Sequence, residues 1–112
     1  NIYFTYHLNS LLDKTNSHLT VNCLHPGVVN TNIANNNSSM IYKTISSFIK
    51  FFAITSRQGA FTPTYLATSP EVDSFSGGYF IKSRPVKSSN ISYDKDVAER
   101  LWTLSTEIWK SI

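Results

Sequence analysis

A short β-rich run, Leu19 to Leu24 (LTVNCL), stops abruptly at His25-Pro26-Gly27 and resumes as Val28-Val29-Asn30-Thr31. Proline has no backbone donor, and glycine reaches backbone angles closed to other residues. The pair therefore ends a buried strand and leaves bare backbone at its carboxyl end. In open α/β sheets that end is where ligands bind.

The residues before the run read as a helix. Asn1 to Lys14 carries Phe4, Leu8, Leu11 and Leu12 at helical spacing, and Thr15-Asn16-Ser17 stops it. No N-cap precedes it, which predicts a helix already under way when the chain begins. After the Pro-Gly turn, Asn30 to Ser39 holds five asparagines and two serines, the composition of a loop. Met40 to Ile54 sets Ile41, Ile45, Phe48, Ile49 and Phe52 on one face of an amphipathic helix. A further helix is predicted over Arg57 to Thr68, with Thr55 or Ser56 as its N-cap and Ser69-Pro70 as its end. Pro63 lies inside it, and Gly59, lacking a Cβ, eases the crowding at the expected kink.

Ser76-Gly77-Gly78 then leads into a second strand, Tyr79 to Ile81, closed by Arg84-Pro85, and Ser88 to Ser92 reads as loop. Asp96 with Glu99 forms a capping box for a last helix over about residues 96–110. Val97, Leu101, Leu104 and Ile108 give that helix one apolar stripe, flanked by Trp102 and Trp109. Two strands joined by a long helical crossover predict a parallel pair with a right-handed connection, hence an α/β class. Such a pair is too small to be stable alone, so further strands are expected beside the first. Residues 1–112 read as one domain, with no internal repeat or linker.

Composition narrows the function classes. The net charge is only +3 and the ten Lys and Arg are scattered, so nucleic acid is not an expected partner. Aromatic residues make up 13% of the chain, which argues against disorder. The single cysteine, Cys23, excludes an internal disulfide and a Cys-based zinc site, and reads as a structural thiol. No apolar run reaches the roughly 18 residues that span a bilayer. Asp94, Asp96 and Glu99 are a helix start and not a metal site. The sequons at Asn36, Asn37 and Asn90 are what an Asn- and Ser-rich chain produces by chance. His25 is a candidate base, but its place beside a turn reads as structural; His7 and His18 read as surface residues. Tyr3 and Tyr6 read as helix packing or as contacts of a homodimer through the first helix.

Several landmarks occur together in a fixed order: NIYFTY (Asn1 to Tyr6), VNCLHPGVVNT (Val21 to Thr31), RQGA (Arg57 to Ala60), YLATSPEV (Tyr65 to Val72), SGGYF (Ser76 to Phe80) and AERLWTLS (Ala98 to Ser105). Nearly the whole chain thereby resembles the carboxyl-terminal half of the short-chain dehydrogenases and reductases, in their retinol-dehydrogenase-like branch. The resemblance implies the carboxyl-terminal part of a doubly wound parallel-sheet (Rossmann-like) domain, with two parallel strands and flanking helices. It implies an oxidoreductase using NADP or NAD, bound mainly by an amino-terminal half that lies upstream. Its substrate would be a small apolar alcohol, aldehyde or ketone, retinoid- or lipid-like.

By the same resemblance, Pro26, Gly27, Val28, Val29 and Thr31 meet the nicotinamide, and residues 32–54 form a substrate flap with Met40, Ile41, Ile45, Phe48, Phe51 and Phe52. The family's catalytic tyrosine, and the lysine four positions later, would fall just before Asn1. No tyrosine of this chain has lysine at that spacing and no glycine-rich phosphate turn occurs, so no catalytic residue is assigned. The 112 residues alone are expected to bind no dinucleotide and reduce no carbonyl. The residues themselves name no compartment; the resemblance implies an intracellular parent associated with a membrane of the endoplasmic reticulum or mitochondrion. A truncated inactive product, and a small helix-rich interaction or membrane-surface module, stand as alternatives.

Overall fold

The computed structural model describes residues 1–29 and 53–112. Helix α1 (Ile2–Lys14) leads to strand β1 (Asn22–His25). Two helical pieces follow, α2 (Ser56–Gly59) and α3 (Phe61–Thr68), then a 3-10 turn at Pro70–Val72. Strand β2 (Gly78–Ile81) and strand β3 (Arg84–Pro85) precede a 3-10 turn at Asn90–Tyr93 and the last helix, α4 (Lys95–Lys110). The proposed amphipathic helix of Met40 to Ile54 lies almost wholly outside the described residues. Its last member, Ile54, is not helical; it forms a parallel bridge with Val29.

β1 and β2 are adjacent and parallel, pairing Asn22 with Gly78 through His25 with Ile81, as the crossover predicts. β3 adds an antiparallel edge, so the sheet is mixed, in the order β1-β2-β3, rather than a parallel pair. This is a small α/β unit consistent with a fragment of a Rossmann-like fold, not a full doubly wound sheet. The third strand escaped the sequence reading because its turn residues are unusual. Lys82 and Ser83 connect β2 to β3 with φ of +50° and +59°. A two-residue turn of that hand ordinarily carries Asn or Gly, because other residues are strained there.

The first strand also begins later than its composition suggests: Leu19 is 71% exposed and precedes the ladder. Side-chain bonds fix the register at β1's start. Asn22 Oδ1 accepts from Gly78 N at 2.8 Å, and Asn22 Nδ2 donates to the Phe75 carbonyl at 2.6 Å. Gly77, at φ +72°, makes the turn into β2, and its N–H donates to the Val21 carbonyl at 2.7 Å. Phe80 is the core of the sheet at 1% exposure, edge-on to Phe75 at 5.3 Å. Burying such a ring contributes about 1.5 to 3 kcal/mol. Cys23 is half-buried, and its thiol donates to the Gly78 carbonyl across the ladder at 3.6 Å, a structural role.

The single helix expected over Arg57 to Thr68 divides at Ala60. Pro63 falls in the first turn of α3, where its missing N–H leaves the Gly59 carbonyl without a ladder donor, next to the break. Thr55 is the N-cap of α2. Its Oγ1 accepts from Gln58 N at 3.2 Å, while Gln58 Oε1 accepts from Thr55 N at 2.9 Å. The capping box placed at Asp96 and Glu99 is corrected. Asp94 is the N-cap, its Oδ1 accepting from Val97 N at 3.1 Å, and Asp96 sits in the first turn.

The orientation of α4 also differs from its apolar stripe. Val97, Leu104 and Ile108 are exposed, the last two at 55% and 56%, whereas Ala98 is buried. Aromatic contact decides the packing: the Trp102 ring lies 5.5 Å from Phe4 and 5.3 Å from His7, both on α1. His7 is therefore a packing residue, not a surface one. Tyr3 and Tyr6 serve contacts within the chain. Tyr3 Oη donates to the Ile91 carbonyl at 2.9 Å, and Tyr6 stacks on Tyr93 at 5.1 Å. Tyr6 Oη and Ser88 Oγ lie 2.6 Å apart; burial pushes the Tyr6 pKa up, and a hydrogen bond with Ser88 pulls that of Tyr93 down.

Candidate nicotinamide turn at the end of the first strand

β1 ends at His25, and Pro26-Gly27 turns the chain across the carboxyl ends of the parallel strands. Gly27 takes φ +84°, a conformation that strains any residue with a Cβ. A Cβ there would also lie 3.0 Å from Ile54 Cδ1. The sequence expectation for the turn thus holds for backbone shape. It holds less well for backbone donors and acceptors. Gly27 N donates to His25 Nδ1 at 3.0 Å, and the Val28 carbonyl accepts from Ile54 N at 2.8 Å, so two groups of the turn are already committed.

The two valines have different tasks. Val28 is 54% exposed, an apolar side chain presented at the surface of the turn. Val29 instead packs inward on α2: a Cβ added to Gly59 would come within 2.6 Å of Val29 Cγ2. Gly59 is buried, and its missing side chain makes the room that Val29 fills. The sequence reading of Gly59, as room for the crowding around Pro63, names a different neighbour. Thr31 and the flap residues Met40, Ile41, Ile45, Phe48, Phe51 and Phe52 lie outside the described residues.

A cavity of about 660 Å³ opens beside the turn, lined by His25, Pro26, Gly27 and Ile54, by Arg57, Gln58, Phe61 and Thr62, and by Ile81 and Lys82. Its floor is the carboxyl end of both parallel strands, the place where such sheets bind ligands. Its walls mix the Ile54, Ile81 and Phe61 side chains with the cations of Arg57 and Lys82. Thr62 supports that wall. It is buried, and its Oγ1 accepts from Ser83 N at 3.1 Å, tying α3 to the turn between β2 and β3. Sequence reading passed over Thr62, since one threonine in a helix carries no signal until its partner across the fold is known. Another hollow, about 630 Å³, runs along α4 by Val97, Leu101 and Leu104, and involves no residue of the turn. Among the described residues no group of His, Cys, Asp and Glu could hold a metal ion. No described helix is long and apolar enough to cross a membrane.

Human polyprenol dehydrogenase is 33% identical over 109 residues, which is 96% of this chain and 32% of the relative. Human retinol dehydrogenase 14 is 38% identical over 107 residues, 94% of this chain and 31% of its own length. The chloroplastic short-chain dehydrogenase TIC 32 A of Brassica napus is 27% identical over 112 residues, the whole of this chain and 35% of the relative. The chain is homologous to short-chain dehydrogenases over most of its length. It spans about a third of the relatives it matches, consistent with a partial domain of that family. No family model and no solved structure matches it significantly.

Proposed function

We propose that residues 1–112 are the carboxyl-terminal part of a nicotinamide-dependent oxidoreductase that converts an apolar alcohol, aldehyde or ketone. One observation carries the reading. The Pro26-Gly27 turn stands at the carboxyl end of a parallel strand and lines a cavity. Retinol and polyprenol dehydrogenases match this chain over nearly all of it.

NADP or NAD, when bound, would supply or accept the hydride. The chain's own residues would orient it: Gly27 letting the backbone approach, Val28 walling one ring face, Val29 bracing the turn against α2, and Thr31 hydrogen-bonding the cofactor. The sequence between Asn32 and Ile54 adds Met40, Ile41, Ile45, Phe48, Phe51 and Phe52, side chains suited to a retinoid- or lipid-like substrate. In the family it resembles the proton donor is a tyrosine paired with a lysine four positions later, and no tyrosine of these 112 residues has that spacing.

Gly27→Val in the full-length protein is the test. Left-handed strain alone is worth about 1 to 2 kcal/mol, and the added methyls crowd Ile54. NADPH and NADH should each bind at least about tenfold more weakly, with the fold retained by circular dichroism. Unchanged affinity in a folded variant removes the turn from the cofactor site.

A further inference from the structure

We infer that His25 is the positioning residue of the Pro26-Gly27 turn, and that it acts only as the neutral imidazole protonated on Nε2. The inference rests on the reading of that turn as the nicotinamide site. Gly27 N lies 3.0 Å from His25 Nδ1. A backbone amide can only donate, so Nδ1 must present its lone pair and the ring proton sits on Nε2. The ring thereby bridges from its own residue to the amide two positions on, as Asn and Asp side chains do in tight turns.

The bridge matters because little else in the turn is self-supporting. Pro26 offers no donor, and Gly27 at φ +84° is the residue freest to leave that conformation. The Ile54 N–H to Val28 carbonyl bond, 2.8 Å, holds the far side of the turn. The near side hangs on the imidazole. A proton on Nδ1 would set two donors against each other and end the bond. Imidazole is the side chain that ordinarily gains its proton between about pH 5 and 8. Arg57 of α2 and Lys82 after β2 line the same cavity, and no carboxylate lines it among the described residues. No carboxylate described there is on hand to hold an imidazolium in place. Protonation of the ring should therefore loosen the turn and weaken the cofactor site built on it by the worth of that one bond.

The experiment uses the full-length protein, with nitrogen NMR of His25 and cofactor titrations of the wild type, His25→Asn and His25→Phe. At about pH 8 the ring should be the Nε2–H tautomer, and on acidification the Gly27 amide shift should move with the imidazole. Wild-type affinity for NADH and NADPH should fall by about threefold to tenfold between about pH 8 and pH 5.5, the worth of one neutral hydrogen bond. His25→Asn, whose amide oxygen accepts the same N–H, should keep binding that His25→Phe loses, and its affinity should no longer follow pH beyond any titration of the nucleotide itself. An Nδ1–H tautomer, or a pH dependence shared by wild type and His25→Asn on the same nucleotide, overturns the inference. If no form binds either cofactor, the nicotinamide reading fails, while the NMR arm still decides the His25–Gly27 bond.

Discussion

Gly59→Ala should destabilise the protein through one contact, and removing that contact should abolish the cost. The added Cβ would stand 2.6 Å from Val29 Cγ2 and 3.2 Å from Val29 Cγ1. Carbon atoms pack at about 3.5 to 4.0 Å, so the turn or α2 must yield by about 1 Å. Overpacking of this kind costs about 1 to 3 kcal/mol. Val29 Cβ, by contrast, lies at 3.5 Å, an ordinary contact. In a Val29→Ala background, then, Gly59→Ala meets only that ordinary contact, and the better helix propensity of alanine should make it neutral or stabilising by about 0.5 kcal/mol. Urea unfolding of the four full-length forms gives a double-mutant cycle with a coupling of about 1 to 3 kcal/mol. An equal cost of Gly59→Ala in both backgrounds would refute the contact between turn and helix.

Two further substitutions test local features of the fold. Ser83→Gly should raise the unfolding midpoint, because Ser83 sits at φ +59° and its buried Oγ has no partner among the described residues; relief of the backbone strain alone is worth about 1 kcal/mol, and a destabilised variant would contradict that geometry. Asp94→Ala should cost about 1 kcal/mol as a lost N-cap and Asp96→Ala only a few tenths, measured by denaturation; the reverse order would restore the cap to Asp96.

The parallel pairing of β1 and β2 was legible because a strand, a helical crossover and a second strand leave few arrangements. The turn was legible at Pro26-Gly27 because each residue departs from ordinary backbone chemistry. Features that depend on a distant partner were not. Lys82-Ser83 carries no turn residue, so β3 gave no local signal, and its conformation is held by the bond from Ser83 N to Thr62. The stripe on α4 misled because periodicity shows that a face is apolar, not that something covers it. Trp102, read as a flank, anchors the helix through its rings' contact with α1. Gly59 was noticed for the wrong neighbour: Pro63 is close in sequence, whereas Val29 is close in space.

The central claim is that the Pro26-to-Val29 turn meets the nicotinamide, and magnetisation transfer measures it directly. With the full-length protein saturated by NADPH or NADH and its valine and leucine methyls labelled, the nicotinamide ring protons should show cross-relaxation to the Val28 methyls. They should show none to Leu104 on α4. Saturated cofactor whose ring makes no contact with Val28 would contradict the account.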